Sequence, residues 1–315
     1  MSTTTRIVAW LANQMHQYAC ARAISLERKD KLYLDIDSFY YDTREYELDI
    51  FCIDGKIATN RQKPWYLILW KNKIIDKIWY YVIFISKKIN PFHIIENPYH
   101  PFYNRKMFDF NPKALEKAIT TKHDIYLEWF WHSEKYFKKH EDTIRKDFTL
   151  KKPINDTYNL NIMKKMKHCN SVSIHVRRWD YAGTYYEGIC NIEYYKKAIG
   201  YMKQHIQHPV FFVLSDDIDR CKEAFKDYPI EEYCENWWNQ KIKNKTIAWI
   251  GKHWWDAYKN MILMSNCRHN IIANSTFSRR GARLNNNPDK IVIAPKKRHA
   301  NIDYNDLIPE KWIRI

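Results

Sequence analysis

No two cysteines of this chain stand as Cys-x-x-Cys. The seven present (Cys20, Cys52, Cys169, Cys190, Cys221, Cys234 and Cys267) are odd in number and widely spaced. That excludes a zinc-ribbon pattern and a disulfide framework, and reduced thiols in a cytosolic protein are expected. No long apolar run is uninterrupted either. The most apolar window, Trp65 to Ser86, is broken by Lys71, Lys73, Asp76 and Lys77, which predicts a buried helix and not a membrane span. The opening Arg6-Ile-Val-Ala-Trp10 lacks the apolar core of a signal peptide. Glycine is scarce, six in 315 residues, so few positions offer positive φ or close backbone approach at no steric cost. Acidic residues are outnumbered, 36 against 52 lysines and arginines, for a net charge of +16. That excess favours polyanionic partners: nucleic acid, an anionic membrane face or a nucleotide-sugar. Zinc-finger spacing and RNA-binding signatures are missing, and the basic runs Lys151-Lys152, Lys164-Lys165 and Lys296-Lys297-Arg298 read mostly as solvated surface.

What is present is a packed globular chain, 45% hydrophobic and 16% aromatic. Strand and helix patterns alternate. A strand is expected at Ile7–Trp10, a helix at Gln14–Arg28 and strands at Leu32–Ile36 and Ile125–Leu127, with a helix from Glu134 to Arg145. After the linker-like Lys151-Lys-Pro-Ile-Asn-Asp156 a second series begins. It comprises strand 171–176, helix 193–206, strand 210–214, helices 218–226 and 255–266, strand 270–273, helix 277–285 and a strand at Ile291–Ala294. Two such series predict an α/β protein of two Rossmann-like domains facing each other, residues 1–152 and 153–315.

Three segments gather chemistry. In Ser171-Val-Ser-Ile-His-Val-Arg-Arg-Trp-Asp-Tyr181 the alternation of Val172, Ile174 and Val176 marks a strand. His175, Arg177, Arg178 and Asp180 then cluster at its C-terminal edge, where open α/β sheets bind ligands. Paired guanidiniums suit a diphosphate; an ordinary surface ion-pair cluster is the alternative. In Phe211-Phe-Val-Leu-Ser-Asp-Asp-Ile218 a strand ends in Asp216 and Asp217, which either bind a ligand or cap a helix. In residues 269–285 a strand leads through Asn274, Ser275 and Thr276 into a helix. Its first turn, with Ser278, offers unpaired N–H groups and hydroxyls to an anion, or Ser-Thr is a simple capping pair.

These segments resemble the bacterial α-1,2-fucosyltransferases. The likeness is carried by Ser-Ile-His-Val-Arg-Arg-x-Asp-Tyr (173–181), Phe-Phe-Val-Leu-Ser-Asp-Asp-Ile (211–218) and Leu-Met-Ser-x-Cys-Arg-His-Asn-Ile-Ile-Ala-Asn-Ser-Thr-Phe-Ser (263–278). Leu11-x-Asn-Gln-Met15, Gln17-Tyr-Ala19 and the ending Leu307–Ile315 extend it over nearly the whole chain. The resemblance implies a GT-B architecture with a donor-binding C-terminal domain and an acceptor-side N-terminal domain. It also implies inverting transfer of L-fucose from GDP-fucose to the 2-hydroxyl of a galactose-terminated glycan, with neither cofactor nor metal. By the same resemblance His175, Arg177, Arg178, Asp216, Asp217, Asn274, Ser275, Thr276 and Ser278 form the GDP-fucose site. Arg177 neutralises the leaving group, and Asp180 and Glu187 are candidates for the base that transfer requires. Glu187 stands where relatives usually carry histidine. Asn13 and Gln14 are expected on the acceptor side. Asp35-Ile-Asp37 has the spacing of a metal-binding carboxylate pair, but it lies in the N-terminal half and is expected to be structural or acceptor-side. A cytoplasmic location with peripheral contact to anionic membrane fits the charge.

The sequence departs from the family chiefly where glycine belongs. The family's Gly-Gly-Leu-Gly-Asn-Gln is Ala9-Trp10-Leu11-Ala12-Asn13-Gln14 here, Trp179 follows the two arginines, and a glycine is expected near Trp129. Arg279, Arg280 and Arg283 stand where tryptophans are usual. An indole at 179 is expected to crowd the nucleotide. An impaired relative that still binds GDP or glycan, and a basic nucleic-acid-binding protein, are the competing readings.

Overall fold

The computed structural model describes residues 1–40, 42–69, 85–86, 90–96, 109–177, 183–184, 186–228, 230–235, 257–299, 302–303 and 306–315. Arg178, Trp179 and Asp180 lie outside them, as does most of the apolar window after Leu69. The chain divides into two compact units, Met1–Lys152 and Pro153–Ile315, each built on a parallel sheet with helical crossovers. The α/β class with two Rossmann-like units is therefore what the structure shows. Among the described residues no helix is long and apolar enough to cross a membrane.

Unit 1 contains β1 (Ser2–Arg6), α1 (Leu11–Arg28), β2 (Lys31–Asp35), β3 (Lys56–Ile57), α2 (Trp65–Leu69), β4 (His93–Ile95), α3 (Pro112–Thr120), β5 (Ile125–Glu128) and α4 (Glu141–Asp147). Its sheet runs β3-β2-β1-β5-β4, every pairing parallel. The first strand is not Ile7–Trp10. It is the preceding hydroxyl run, whose threonines are buried. β-branched threonine suits a pleated strand, and the Thr3 hydroxyl donates to Asp30 at 2.9 Å. Residues 7–10 instead turn the chain into α1. The helix expected at Glu134–Arg145 is also corrected: two 3-10 turns at Glu134–Tyr136 and Lys138–His140 precede α4. Phe137, at φ −133 and ψ 7, breaks the helical run.

Unit 2 contains α5 (Thr157–Lys167), β6 (Asn170–Val176), α6 (Ile192–His205), β7 (Pro209–Ser215), α7 (Ile218–Ala224), β8 (Ile230–Glu235), α8 (Ala257–Asn266), β9 (His269–Ile271), α9 (Thr276–Leu284) and β10 (Val292–Ala294). The short β11 (Lys297–His299), β12 (Ile302–Asp303) and β13 (Ile313–Arg314) complete it. Its six-stranded parallel sheet runs β13-β10-β9-β6-β7-β8. One face of β6 sends Val172, Ile174 and Val176 into an apolar core with Ala198, Ile199 and Phe211. The other face is also buried but polar, and Ser173 accepts from Asn270 of β9 at 2.7 Å. Asn270 also donates to the Met264 carbonyl at 2.8 Å and accepts from Asn285 at 2.8 Å, so β6, β9 and both flanking helices meet on one amide. Gly281 lets α9 lie close to α8, since a Cβ there would come within 3.0 Å of Met264.

Candidate functional site

Strand order in unit 2 reverses at β6. The chain proceeds outward through β7 and β8, then returns to the other side of β6 with β9 and β10. Such a reversal opens a crevice at the carboxyl ends of the strands, where α/β sheets bind ligands. His175 is the penultimate residue of β6 and Arg177 follows its end. Asp216 follows β7, and Asn274 to Thr276 lead from β9 into α9.

The Arg177 Nε lies 3.4 Å from an oxygen of the buried Asp216. That pair anchors the guanidinium and supplies the counter-charge its carboxylate needs. Asp216 is thereby paired with Arg177, whereas the partly exposed Asp217 accepts from the Arg220 amide and caps α7. His175 is buried, with its ring 5.7 Å from that of Phe277 in the first turn of α9. Burial, helped by the nearby Arg177 charge, lowers its pKa to about 3, so the imidazole is neutral.

At the start of α9 the Ser275 hydroxyl accepts from the Phe277 amide, the N-cap use. Ser278, expected to face a phosphate, is corrected: it is fully buried, and its hydroxyl lies 3.3 Å from the carbonyls of Ala273 and Ser275. Asn274 is a brace, donating to the carbonyls of Tyr186 and Arg298. Thr276 meets a cation that sequence reasoning missed. Arg298, read as surface, is only 7% exposed. Its two terminal nitrogens are 3.4 Å from the Thr276 hydroxyl, and its guanidinium lies 5.9 Å from the Tyr186 ring centre. Strand alternation in β11 was the available signal, since it turns Arg298 inward while Lys297 is exposed. Glu187 is exposed and accepts from the Gly183 amide at 2.8 Å. That closes a turn in which Gly183 and Gly188 take φ of 74 and 79. The three arginines of α9 are not surface groups either: Arg279, Arg280 and Arg283 are buried, with Arg279 donating to the Leu307 carbonyl.

In unit 1, Gln14 is corrected. It is fully buried, donates to the carbonyls of Ala9 and Glu45, and accepts from the Glu47 amide. With both its N–H groups used and no surface exposed, it seals a loop over the start of α1. The Glu47 carboxylate in turn accepts from the Leu11 amide at the helix N-terminus; burial pushes its pKa up to about 7. Asn13 is half-buried, its side-chain oxygen 3.0 Å from His132 Nε2. Asp35 and Asp37 share Lys63, whose ammonium lies 3.2 and 2.6 Å from their oxygens. A cation of the chain itself thus neutralises the pair. Ala9 at φ 67 and Trp129 at φ 111 take the left-handed backbone that favours glycine, at and near positions where the resemblance leads one to expect it.

The pattern of glycosyl transferase family 11 matches residues 94–315. An α-1,2-colitosyltransferase of Escherichia coli is 32% identical over 98% of this chain and 97% of its own length. The O-antigen biosynthesis glycosyltransferase WbnK, also of Escherichia coli, is 28% identical over 97% of each. Among solved structures, fucosyltransferase NodZ from Bradyrhizobium gives a TM-score of 0.49 at 13% identity, over 89% of this chain and 91% of that one. The family pattern and the near full-length colitosyltransferase match agree with the motifs read from the sequence, and the chain belongs to glycosyl transferase family 11, the α-1,2-fucosyltransferase-like family.

Proposed function

We propose that this protein moves a GDP-activated 6-deoxy sugar to the 2-hydroxyl of a terminal galactose in a glycan, inverting the anomeric carbon without a metal. The sugar is L-fucose or its 3-deoxy counterpart colitose, the latter suggested by the Escherichia coli colitosyltransferase. In this reading unit 2 holds the donor and unit 1 receives the acceptor. The observation that carries it is the β6–β9 crevice. Arg177 is anchored there by a buried carboxylate, a neutral histidine lies beside it, and a helix N-terminus stands nearby with Arg298 against its first residue. Guanidiniums and aligned N–H groups neutralise a departing diphosphate as a metal would. The positive formal charge suits work beside an anionic membrane face.

The test is GDP calorimetry together with transfer from GDP-fucose and GDP-colitose to a β-galactoside, with and without EDTA. GDP binding plus EDTA-resistant transfer from either donor is the expected result. Absence of both sinks the proposal. A second reading, a relative that binds GDP with little turnover, is favoured by the positive φ of Ala9 and Trp129, a conformation that strains residues other than glycine. Binding without transfer from either donor would select it.

A further inference from the structure

We infer that Trp10 is the stacking platform for the terminal hexose of the acceptor, with Asn13 beside it as a hydrogen-bond donor and Arg44 as the positioning residue that steadies the ring. The inference rests on the reading above in which unit 1 receives the glycan. The sheet of unit 1 also reverses its order, between β1 and β5, and a ligand is expected outside the carboxyl ends of those two strands. The chain leaves β1 at Arg6, passes the left-handed Ala9 and enters α1 at Leu11. Trp10 is the N-cap residue of that helix, yet its side chain makes no capping hydrogen bond; Ser, Thr, Asp or Asn is the usual choice there. Its neighbours Ala9, Leu11 and Ala12 are buried, whereas Trp10 is 38% exposed. The indole therefore stands out of a packed corner, and the helix start does not require it.

A cation steadies the ring. The Arg44 guanidinium lies 5.3 Å from the Trp10 ring centre, within the range of cation–π attraction, and it pairs with Asp42 at 3.4 Å. The segment carrying Arg44 is fastened to the first turn of α1. Gln14 donates to the Glu45 carbonyl at 2.8 Å and accepts from the Glu47 amide at 2.9 Å, while the Glu47 carboxylate accepts from the Leu11 amide at 2.9 Å. Asn13 closes the same turn, its backbone amide donating to the Trp10 carbonyl at 2.8 Å. Its side-chain oxygen is 3.0 Å from Nε2 of His132, in the segment that follows β5. Residues after both strands of the reversal thus meet at Asn13. The Asn13 side-chain nitrogen makes no hydrogen bond among the described residues.

A pyranose offers a partner for each of these groups, because it pairs an apolar patch of C–H bonds with a rim of hydroxyls. In galactose the axial hydroxyl leaves several C–H bonds together on the opposite face. The face of an indole is apolar and carries partial negative charge, so it attracts such C–H groups. The Asn13 amide suits a hydroxyl oxygen at the rim. Small-molecule sites commonly combine aromatic walls with a few placed polar groups in this way. A ring already steadied by a guanidinium also loses less conformational freedom when a sugar settles on it.

Saturation-transfer NMR with methyl β-galactoside tests the platform without needing turnover, in the parent and in Trp10→Phe, Trp10→Leu and Asn13→Ala. In the parent the C–H protons of the apolar face should receive the strongest transfer, and Trp10→Phe should keep most of the affinity. Trp10→Leu, apolar but ringless, should bind about fivefold to tenfold more weakly. Asn13→Ala should lose about threefold to tenfold, the value of one hydrogen bond. With GDP-fucose or GDP-colitose as donor, Trp10→Leu should raise the acceptor KM by a similar factor while donor KM and GDP affinity stay as in the parent. If Trp10→Leu folds poorly, Asn13→Ala takes its place. A parent that binds no galactoside, or a folded variant that binds it as the parent does, would overturn the inference. A parent that binds galactoside but neither binds GDP nor transfers would instead overturn the transferase reading beneath it and leave the platform standing.

Discussion

At the strand reversal of the C-terminal sheet, between β6 and β9, the exposed chemistry is cationic: Arg177 and the start of α9. At the reversal of the N-terminal sheet, between β1 and β5, carboxylates prevail, with Asp35, Asp37 and Glu128 each matched by a cation from the chain. The topology is alike, but the N-terminal edge carries more carboxylates, although the most exposed side chain among these ion pairs, Arg6, is a cation like Arg177.

Four measurements can break or sharpen this contrast. The largest effect is expected at Glu96, a buried carboxyl whose pKa burial raises from 4.5 to about 8, despite bonds from the Trp131 amide and Tyr136 that oppose the rise. A folded-state pKa above the unfolded one favours folding only while the group is protonated. Its contribution is complete below the unfolded value and is lost as pH climbs through about 8. Glu96→Gln should therefore stabilise the protein at alkaline pH by on the order of 4 kcal/mol, and hardly at all near pH 4; thermal melts across pH would show it. A pH-independent difference would mean that Glu96 is already ionised.

Next comes Lys63→Met, which strands two carboxylates, one of them buried. Urea unfolding should report a loss of about 3 kcal/mol. Arg177→Ala should weaken GDP binding by about 1.5–3 kcal/mol, the value of a charged hydrogen bond. Unchanged affinity by calorimetry would move the phosphate site elsewhere. The smallest effect is expected at Ala9→Gly, which relieves a left-handed conformation worth about 1 kcal/mol and should raise Tm by a few degrees. A lower Tm would show that the lost methyl matters more than φ.

The sequence made the C-terminal unit legible and the N-terminal site nearly opaque. Strands such as β6 and β7 are continuous β-branched or aromatic runs, and the motif residues sit directly after them. Periodicity and position therefore agreed. In unit 1 the first strand is built of threonines, and Trp10, Arg44 and His132 are far apart in sequence. Nothing local marks such a trio; only the folded chain unites it. Arg298 was missed for another reason, because a lysine-rich context hid one inward-facing side chain. Gln14 and Ser278 were misread since short polar side chains serve buried backbone as readily as ligands.

The amide of Asn270 also bears on how this protein finds its fold. β9 is three residues long, and β6, its neighbour in the sheet, lies nearly a hundred residues earlier in the chain. A one-residue slip would turn every side chain of so short a strand to the opposite face. Such a slip would leave Asn270, Ser173 and the Asn285 amide without one another in a water-free interior, a penalty of about 1–3 kcal/mol for each orphaned group. A few apolar residues could tolerate the shift, but this polar knot cannot. It therefore favours a single register for the short strand beside β6.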